Sequence, residues 1–318
     1  MAGMMRMSEL YQPRTSRLIE AEIPTPGPDD VLIKVRACGV CGSEYFDWNG
    51  GNNRFPLYFG HEVTGEVVAV GGRVAGFQRG DRVAGLFRKG FAEYALIDQT
   101  RVGKLPDPVS FDEAALGEPL LCIVSGALRT DVGLGKTVAI IGVGFMGLLV
   151  LQLMKLKGAY RIIAIDTRPE MLEWARHYGA DEIYTPDRVP AVYKLDHSTG
   201  NTGTDVVIEC TGKEAPLNLA IEMVKCHGIL SIVGYHQGEY TRVNLQMLNW
   251  KSVDLINAHE KRDDHKMRCL DIGLRLMAKG QVSVKELITN RYALDQIDQA
   301  FMDFEQKNAG YIKGIVTV

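Results

Sequence analysis

Cys38 and Cys41 form a C-x-x-C within RACGVCGSEYFD, residues 36–47. Such a pair can be a redox couple, half of a structural zinc knot, or a run in which one thiolate binds a catalytic metal. The partners supplied elsewhere decide among these. FGHEV brings His61 and Glu62 twenty residues after Cys41, and GEPLLC brings Glu118. Thiolate, imidazole and carboxylate are zinc donors, and a catalytic site keeps one position open for water or substrate. Taken singly, each has a plainer reading: a buried Cys as core, a His as a hydrogen-bonder, a Glu as the partner of an arginine. Taken as an ordered set, they favour a metal. Ser43, two residues past Cys41, is either a hydroxyl able to carry a substrate proton or a turn serine capping the next helix.

A second constellation follows an apolar strand-like run. Gly142, Gly144 and Gly147 form G-x-G-x-x-G, enclosing Phe145 and Met146, and Asp166 lies 24 residues after Gly142 at the end of the next strand-like run. Gly142 permits a tight turn, Gly144 lets backbone approach a pyrophosphate, and Gly147 lets helix and strand pack closely; the helix N-terminus then presents free N–H groups to phosphate. Asp166 accepts from both hydroxyls of a ribose and repels a 2′-phosphate, which favours NAD over NADP. Arg168 partly offsets that repulsion. Thr211 and Gly212, at the end of a later strand, are placed to line the nicotinamide side or to serve as plain turn residues. His236 and His259 stand just past strand ends, the edge where such sheets bind ligands.

The elements that must position these residues fall into two rhythms. VLIKVRA (31–37), VTGEVVAV (63–70), DRVAGLF (81–87) and AEYALI (92–97) are short β-branched runs between glycine turns, which predicts an antiparallel, barrel-like β unit. From about residue 120, strands and helices alternate: TVAII (137–141), a helix from Phe145 to Lys157, RIIAID (161–166), a helix over 169–178, then DVVIE (205–209), GILSIV (228–233) and VDLINA (253–258), with a helical segment at 215–225. That alternation predicts an α/β, doubly wound parallel sheet. Helical patterns near 265–279 and 294–306 follow, the second with Ile297, Ala300, Phe301 and Phe304 at helical spacing, and the chain closes on a strand-like YIKGIVTV. The expected division is a catalytic domain of 1–120 with 259–318 and a nucleotide domain of 121–258.

At 318 residues, 24% charged and with a net charge of −3, the chain has no electrostatic footprint for nucleic acid. Six scattered cysteines make a disulfide framework improbable and point to a reducing compartment. MAGMMRMSEL lacks the pattern of a secretory signal, so a cytoplasmic location is expected. The 17-residue apolar run 138–154 is punctuated by glycines and suits a buried strand and helix better than a membrane span. VDLINA, as the last strand, would leave an apolar edge, from which a homodimer or homotetramer is expected.

CGVCGSE, GHEVTGEVVAVGGRVAGFQRGDRV and GEPL, ahead of the glycine motif and its aspartate, resemble the zinc-dependent medium-chain alcohol and polyol dehydrogenases over nearly the whole chain. The resemblance implies a GroES-like β-barrel domain plus a Rossmann domain. It makes Cys41 and His61 ligands of a catalytic zinc, leaves Cys38 a non-ligand, and puts Glu62 and Glu118 where the sorbitol-dehydrogenase-like branch places carboxylates that bind the zinc or its water. The chemistry implied is hydride transfer from a secondary alcohol of a polyol, cyclitol or sugar derivative to NAD, with Glu62 and Ser43 serving catalysis. Threonine-type amino-alcohol dehydrogenases share these motifs; zinc-free quinone or enone reductases share the fold without the ligands. Two departures stand out. No four-cysteine lobe follows GDRV, so one zinc per chain is expected, and Phe46 stands where many relatives carry a relay histidine.

Overall fold

The computed structural model describes residues 3–51, 54–194, 202–238 and 240–318. The chain divides into two compact units, Met1–Leu121 with Arg262–Val318, and Cys122–Lys261.

The first unit opens on an antiparallel hairpin of β1 (Met4–Gln12) and β2 (Thr15–Glu22), which the glycine-and-β-branched reading of the sequence does not anticipate. There follow β3 (Asp30–Gly39), α1 (Gly42–Trp48), β4 (Glu62–Val70), β5 (Arg82–Leu86), β6 (Tyr94–Asp98), β7 (Val102–Lys104) and α2 (Phe111–Ala115); α3 (Gly117–Arg129) begins in this unit and ends in the second. The second unit contains β8 (Thr137–Ile141), α4 (Phe145–Leu156), β9 (Arg161–Ile165), α5 (Pro169–His177), β10 (Glu182–Tyr184), β11 (Thr204–Glu209), α6 (Glu214–Met223), β12 (Val224–Ile232), α7 (Leu245–Trp250) and β13 (Asp254–Asn257). The chain then returns through α8 (Asp263–Ala278), β14 (Ile288–Ala293), α9 (Ile297–Gln306) and β15 (Lys313–Thr317).

The seven-stranded sheet of the first unit runs β14-β15-β3-β4-β5-β7, with β6 also on β3. Its centre is β3, where Val31, Ile33, Val35, Ala37 and Cys38 are fully buried. Irregular register between β3 and β4, at Leu32/Ile33 and Val35/Ala37, adds the bends a closing sheet needs. The register matters most at one end. Gly39 pairs with Glu62 of β4 on one side and Ile315 of β15 on the other, so the start of β4, the start of β15 and the exit of β3 towards Cys41 coincide. Ile297, Ala300 and Phe301 are the buried face of α9, and Phe301 stacks on Trp48 at 5.3 Å, which seats α1 against the same core.

In the second unit the order is β10-β9-β8-β11-β12-β13, every pair parallel. Val138 to Ile141 and Ile162 to Ile165 are buried as continuous apolar runs because helices cover both faces of such a sheet. The apolar stretch 138–154 is therefore β8 turning into α4; among the described residues no helix is long and apolar enough to cross a membrane. The expected doubly wound sheet is thus observed. Strand β12 starts at Val224, four residues before the expected start, because α6 ends at Met223 and the chain pairs at once with Thr204.

Lys251 secures that abrupt helix-to-strand change. It is 1% exposed, and its Nζ donates to the carbonyls of Ile221 (2.5 Å), Glu222 (3.0 Å) and Val224 (2.8 Å), the acceptors that the end of α6 leaves open. Lys251→Met keeps the stem and removes the donors. It is expected to destabilise the second unit by about 2–3 kcal/mol, read as a lower denaturant midpoint; an unchanged midpoint would show that these carbonyls find other partners.

Candidate metal centre and nucleotide site

Cys41 follows the exit of β3 and is the N-cap residue of α1, with no side-chain cap on that helix. Ser43 is therefore not a capping serine. It is exposed, and its Oγ lies 3.3 Å from Cys41 Sγ. His61 and Glu62 enter at the start of β4, after Gly60 at φ +98°, where a Cβ would stand 2.5 Å from the Phe91 nitrogen. One donor atom from each of Cys41, His61 and Glu62 lies within 4.8 Å of the others.

Each member is held from behind. Glu44 Oε1 takes the Gly60 N–H at 2.8 Å and faces His61 Nδ1 at 2.9 Å, which leaves the other ring nitrogen for a ligand. A carboxylate behind a metal-binding imidazole sets its tautomer and strengthens it as a donor. Burial opposes charge on His61, but Glu44 and Cys41 outweigh it and push its pKa well up in the metal-free chain. Glu62 is fully buried, and its carboxylate crosses β3 directly over Gly39, where a Cβ would come within 1.8 Å of Oε2. It reaches Lys313 on β15, whose Nζ is 2.8 Å from Oε1, 2.7 Å from Oε2 and 2.8 Å from the Val40 carbonyl. Burial lowers the Lys313 pKa, yet Glu62 and Cys41 carry the balance upward, so the lysine stays charged.

Glu118 lies in the first turn of α3, outside the 4.8 Å cluster. Its pKa is raised, chiefly by burial; the charge of His61 works against that rise and the charge of Glu62 with it. Cys38 points into the core and is completely buried; burial, then Glu44 and Glu62, raise its thiol well above the usual range. Both cysteines of the C-x-x-C are free. A thiolate, an imidazole with a carboxylate behind it and an anionic oxygen make a donor set that fits zinc. Glu44 and Lys313 escaped the sequence reading. Glu44, three residues after Cys41 on one helical turn, carries a local signal; Lys313 carries none.

In the second unit Gly142 has φ +87°, and a Cβ on Gly147 would stand 2.0 Å from the Gly142 carbonyl oxygen, so the turn admits only glycine. Gly144 is the N-cap residue of α4 and makes no side-chain cap there. Asp166 Oδ2 accepts from the Val143 N–H at 3.0 Å, and Oδ1 accepts from Arg168 N at 3.0 Å and Nε at 3.4 Å. A Cβ on Gly144 would be 3.4 Å from Arg168 Nη2, so the guanidinium lies over the loop. Thr211 and Gly212 turn around Glu209, whose Oε1 accepts from the Thr211 N–H at 2.6 Å and the Gly212 N–H at 3.0 Å. His236 faces the same carboxylate, and His259 stacks near Tyr235, ring centroids 6.2 Å apart.

A metal-binding GroES-like unit and a Rossmann unit with a glycine loop and a strand-end aspartate define the class of dehydrogenases that work with a metal and a dinucleotide. Residues 27–107 match the family model for the alcohol dehydrogenase GroES-like domain, and 146–270 that for zinc-binding dehydrogenases. The chain is similar to sorbitol dehydrogenase of Bacillus subtilis, 30% identical across 93% of this chain and 92% of that one. It is also similar to L-threonine 3-dehydrogenase of Pyrococcus horikoshii, 29% identical across 90% and 91%. Among solved structures, a putative zinc-binding dehydrogenase of Sinorhizobium meliloti bound to NADP superposes with a TM-score of 0.86 at 27% identity, covering 99% of this chain and all of that one. The chain belongs to the zinc-dependent alcohol and polyol dehydrogenase family, oxidoreductases of CH–OH donors that use zinc and a nicotinamide dinucleotide.

The Glu62–Lys313 pair is open to a direct stability test. Lys313→Ala leaves a buried carboxylate unpaired and is expected to cost about 3–5 kcal/mol in chelator-treated protein. A double Glu62→Met/Lys313→Met variant should recover most of that in denaturant unfolding, because apolar side chains need no pairing. A double variant as unstable as the single one would refute this account.

Proposed function

We propose that this protein oxidises a secondary alcohol of a polyhydroxylated small molecule, a polyol, cyclitol or related sugar derivative, with NAD as hydride acceptor and one catalytic zinc per chain. The observation that carries this reading is the Cys41, His61 and Glu62 cluster with Glu44 behind the histidine. Cys41 and His61 are the ligands, and Glu62 or Glu118 completes the shell. When bound there, zinc supplies a Lewis acid that lowers the pKa of the substrate hydroxyl. Lys313 holds the Glu62 carboxylate in place, and the exposed Ser43 hydroxyl takes the alcohol proton and hands it outward to water, since Phe46 has no proton to relay.

Residues 1–120 with 259–318 form the catalytic domain and 121–258 the nucleotide domain. Phe145, Met146 and Gly147 present backbone N–H groups to the pyrophosphate, while Gly142, Gly144, Thr211 and Gly212 shape the groove. Asp166 selects NAD through ribose hydroxyls, and Arg168, paired with it, tempers that preference. A carboxylate-rich donor set suits substrates with several hydroxyls, which supports a polyol over a simple alcohol. The likeness to L-threonine 3-dehydrogenase supports a second reading, an amino-alcohol dehydrogenase using the same site. The partly exposed Leu255 on edge strand β13 supports pairing with a second copy in a homodimer or homotetramer, working in the cytoplasm.

NAD reduction by zinc-loaded protein across hexitols, inositols, aminocyclitols, threonine and simple secondary alcohols is expected to single out a polyhydroxylated substrate; turnover of threonine alone would establish the second reading. Cys41→Ala should lose bound zinc and turnover while binding NAD normally, and zinc retained at full stoichiometry would overturn the ligand assignment. Asp166→Asn, which keeps an acceptor for the Val143 N–H, should raise the ratio of kcat/KM for NADP over NAD about tenfold or more; an unchanged ratio would remove Asp166 from cofactor selection.

A further inference from the structure

The second unit contains a buried acid–imidazole pair that the reaction outlined above leaves unused. Glu209, the last residue of β11, has no exposed surface. Its Oε1 accepts from the N–H groups of Thr211 and Gly212 and from the Thr211 hydroxyl, and its Oε2 lies 3.1 Å from His236 Nε2. The chain can pass this carboxylate only as glycine: a Cβ on Gly234 would stand 2.5 Å from Oε2. Three donors on one oxygen keep Glu209 an acceptor, so His236 presents its Nε2–H to it, and in the neutral imidazole Nδ1 is then a lone-pair acceptor. That Nδ1 is buried and has no hydrogen-bond partner.

An unsatisfied buried acceptor is costly, about 1–3 kcal/mol, and a ligand that supplies a donor recovers that cost. The position says which ligand. Strands β8 and β11 are neighbours in the order β10-β9-β8-β11-β12-β13, so the direction of winding reverses between them, and a dinucleotide spans that switch point at the carboxyl ends of the strands. Asp166, at the end of β9, lies on the adenosine side. Glu209 and His236, at the ends of β11 and β12, lie on the other side. We propose that His236, oriented by Glu209, is a cofactor-binding residue whose Nδ1 accepts a hydrogen bond from the nicotinamide half of the dinucleotide. This inference rests on the dinucleotide reading of the sheet. Two groups of that half offer the required donor, the carboxamide N–H and the ribose hydroxyls.

The test is calorimetric binding to the full-length, zinc-loaded protein, wild type and His236→Ala, with four probes: ADP, ADP-ribose, NAD and 3-acetylpyridine adenine dinucleotide, which has no carboxamide N–H. The expected result is a three- to tenfold loss of NAD affinity in the variant, the size of one neutral hydrogen bond, with ADP affinity unchanged. If the carboxamide is the donor, ADP-ribose and the acetylpyridine analogue bind both proteins equally. If a ribose hydroxyl is the donor, both lose the same factor as NAD. Unchanged NAD affinity, or an equal loss that includes ADP, would overturn the proposal and leave His236 a structural clamp. A wild-type protein that binds none of the four would overturn the dinucleotide reading and this inference with it.

Discussion

A carboxylate and an ammonium buried together at the end of a central strand constrain the first unit more than any other interaction. Glu62 and Lys313 have side chains 1% and 7% exposed, and each charge without the other would face a desolvation penalty of several kcal/mol. They cannot satisfy each other unless β4, β3 and β15 keep one register, because the carboxylate must cross β3 at the one position, Gly39, that has no side chain. Lys313 also donates to the carbonyl of Val40, the residue before Cys41. One ion pair thus links the strand that begins just after His61, the strand exit that leads to Cys41 and the C-terminal strand.

The same physical device, a carboxylate holding a neighbouring polar group, recurs elsewhere in the molecule. Glu44 stands behind His61, Glu209 stands behind His236 and the Thr211–Gly212 turn, and Asp166 holds the Val143 N–H of the glycine loop. A carboxylate with several donors on it has few orientations open to it, and an imidazole against it has one tautomer. The orientation of each site follows from these supports, so removing one changes geometry before it changes charge. The cost is a set of polar groups in low dielectric that must all be satisfied at once.

Much of the fold was legible from periodicity and punctuation. The strands at 137–141 and 161–165, the helices from Phe145 and Pro169 and the Gly179 stop, at φ +100°, agree with the sequence pattern within a residue, because each depends on neighbours along the chain. The opening hairpin was missed because Met4–Gln12 alternates imperfectly, and its buried residues gain their burial from distant partners such as Ala92. Strand β12 was shortened for a similar reason: its first residues, VKCH, read as the tail of a helix, and only pairing with Thr204 makes them a strand.

Residue types and short spacings by themselves picked out Cys41, His61, Glu62 and Glu118 as candidate donors, the glycine turn with its aspartate, and the family whose ordered motifs these are. Local chemistry of that kind is written in contiguous residues. Tertiary structure alone decided that Cys38 is core, that Glu118 stands outside the cluster, and that Ser43 lies beside the Cys41 sulfur without capping its helix. It also supplied Lys313, 251 residues from Glu62, and it set Glu209 against His236, a histidine the sequence already placed past a strand end. Sheet register brings such pairs together, and no local pattern records it, because the energy that selects a register is shared by strands far apart in the chain.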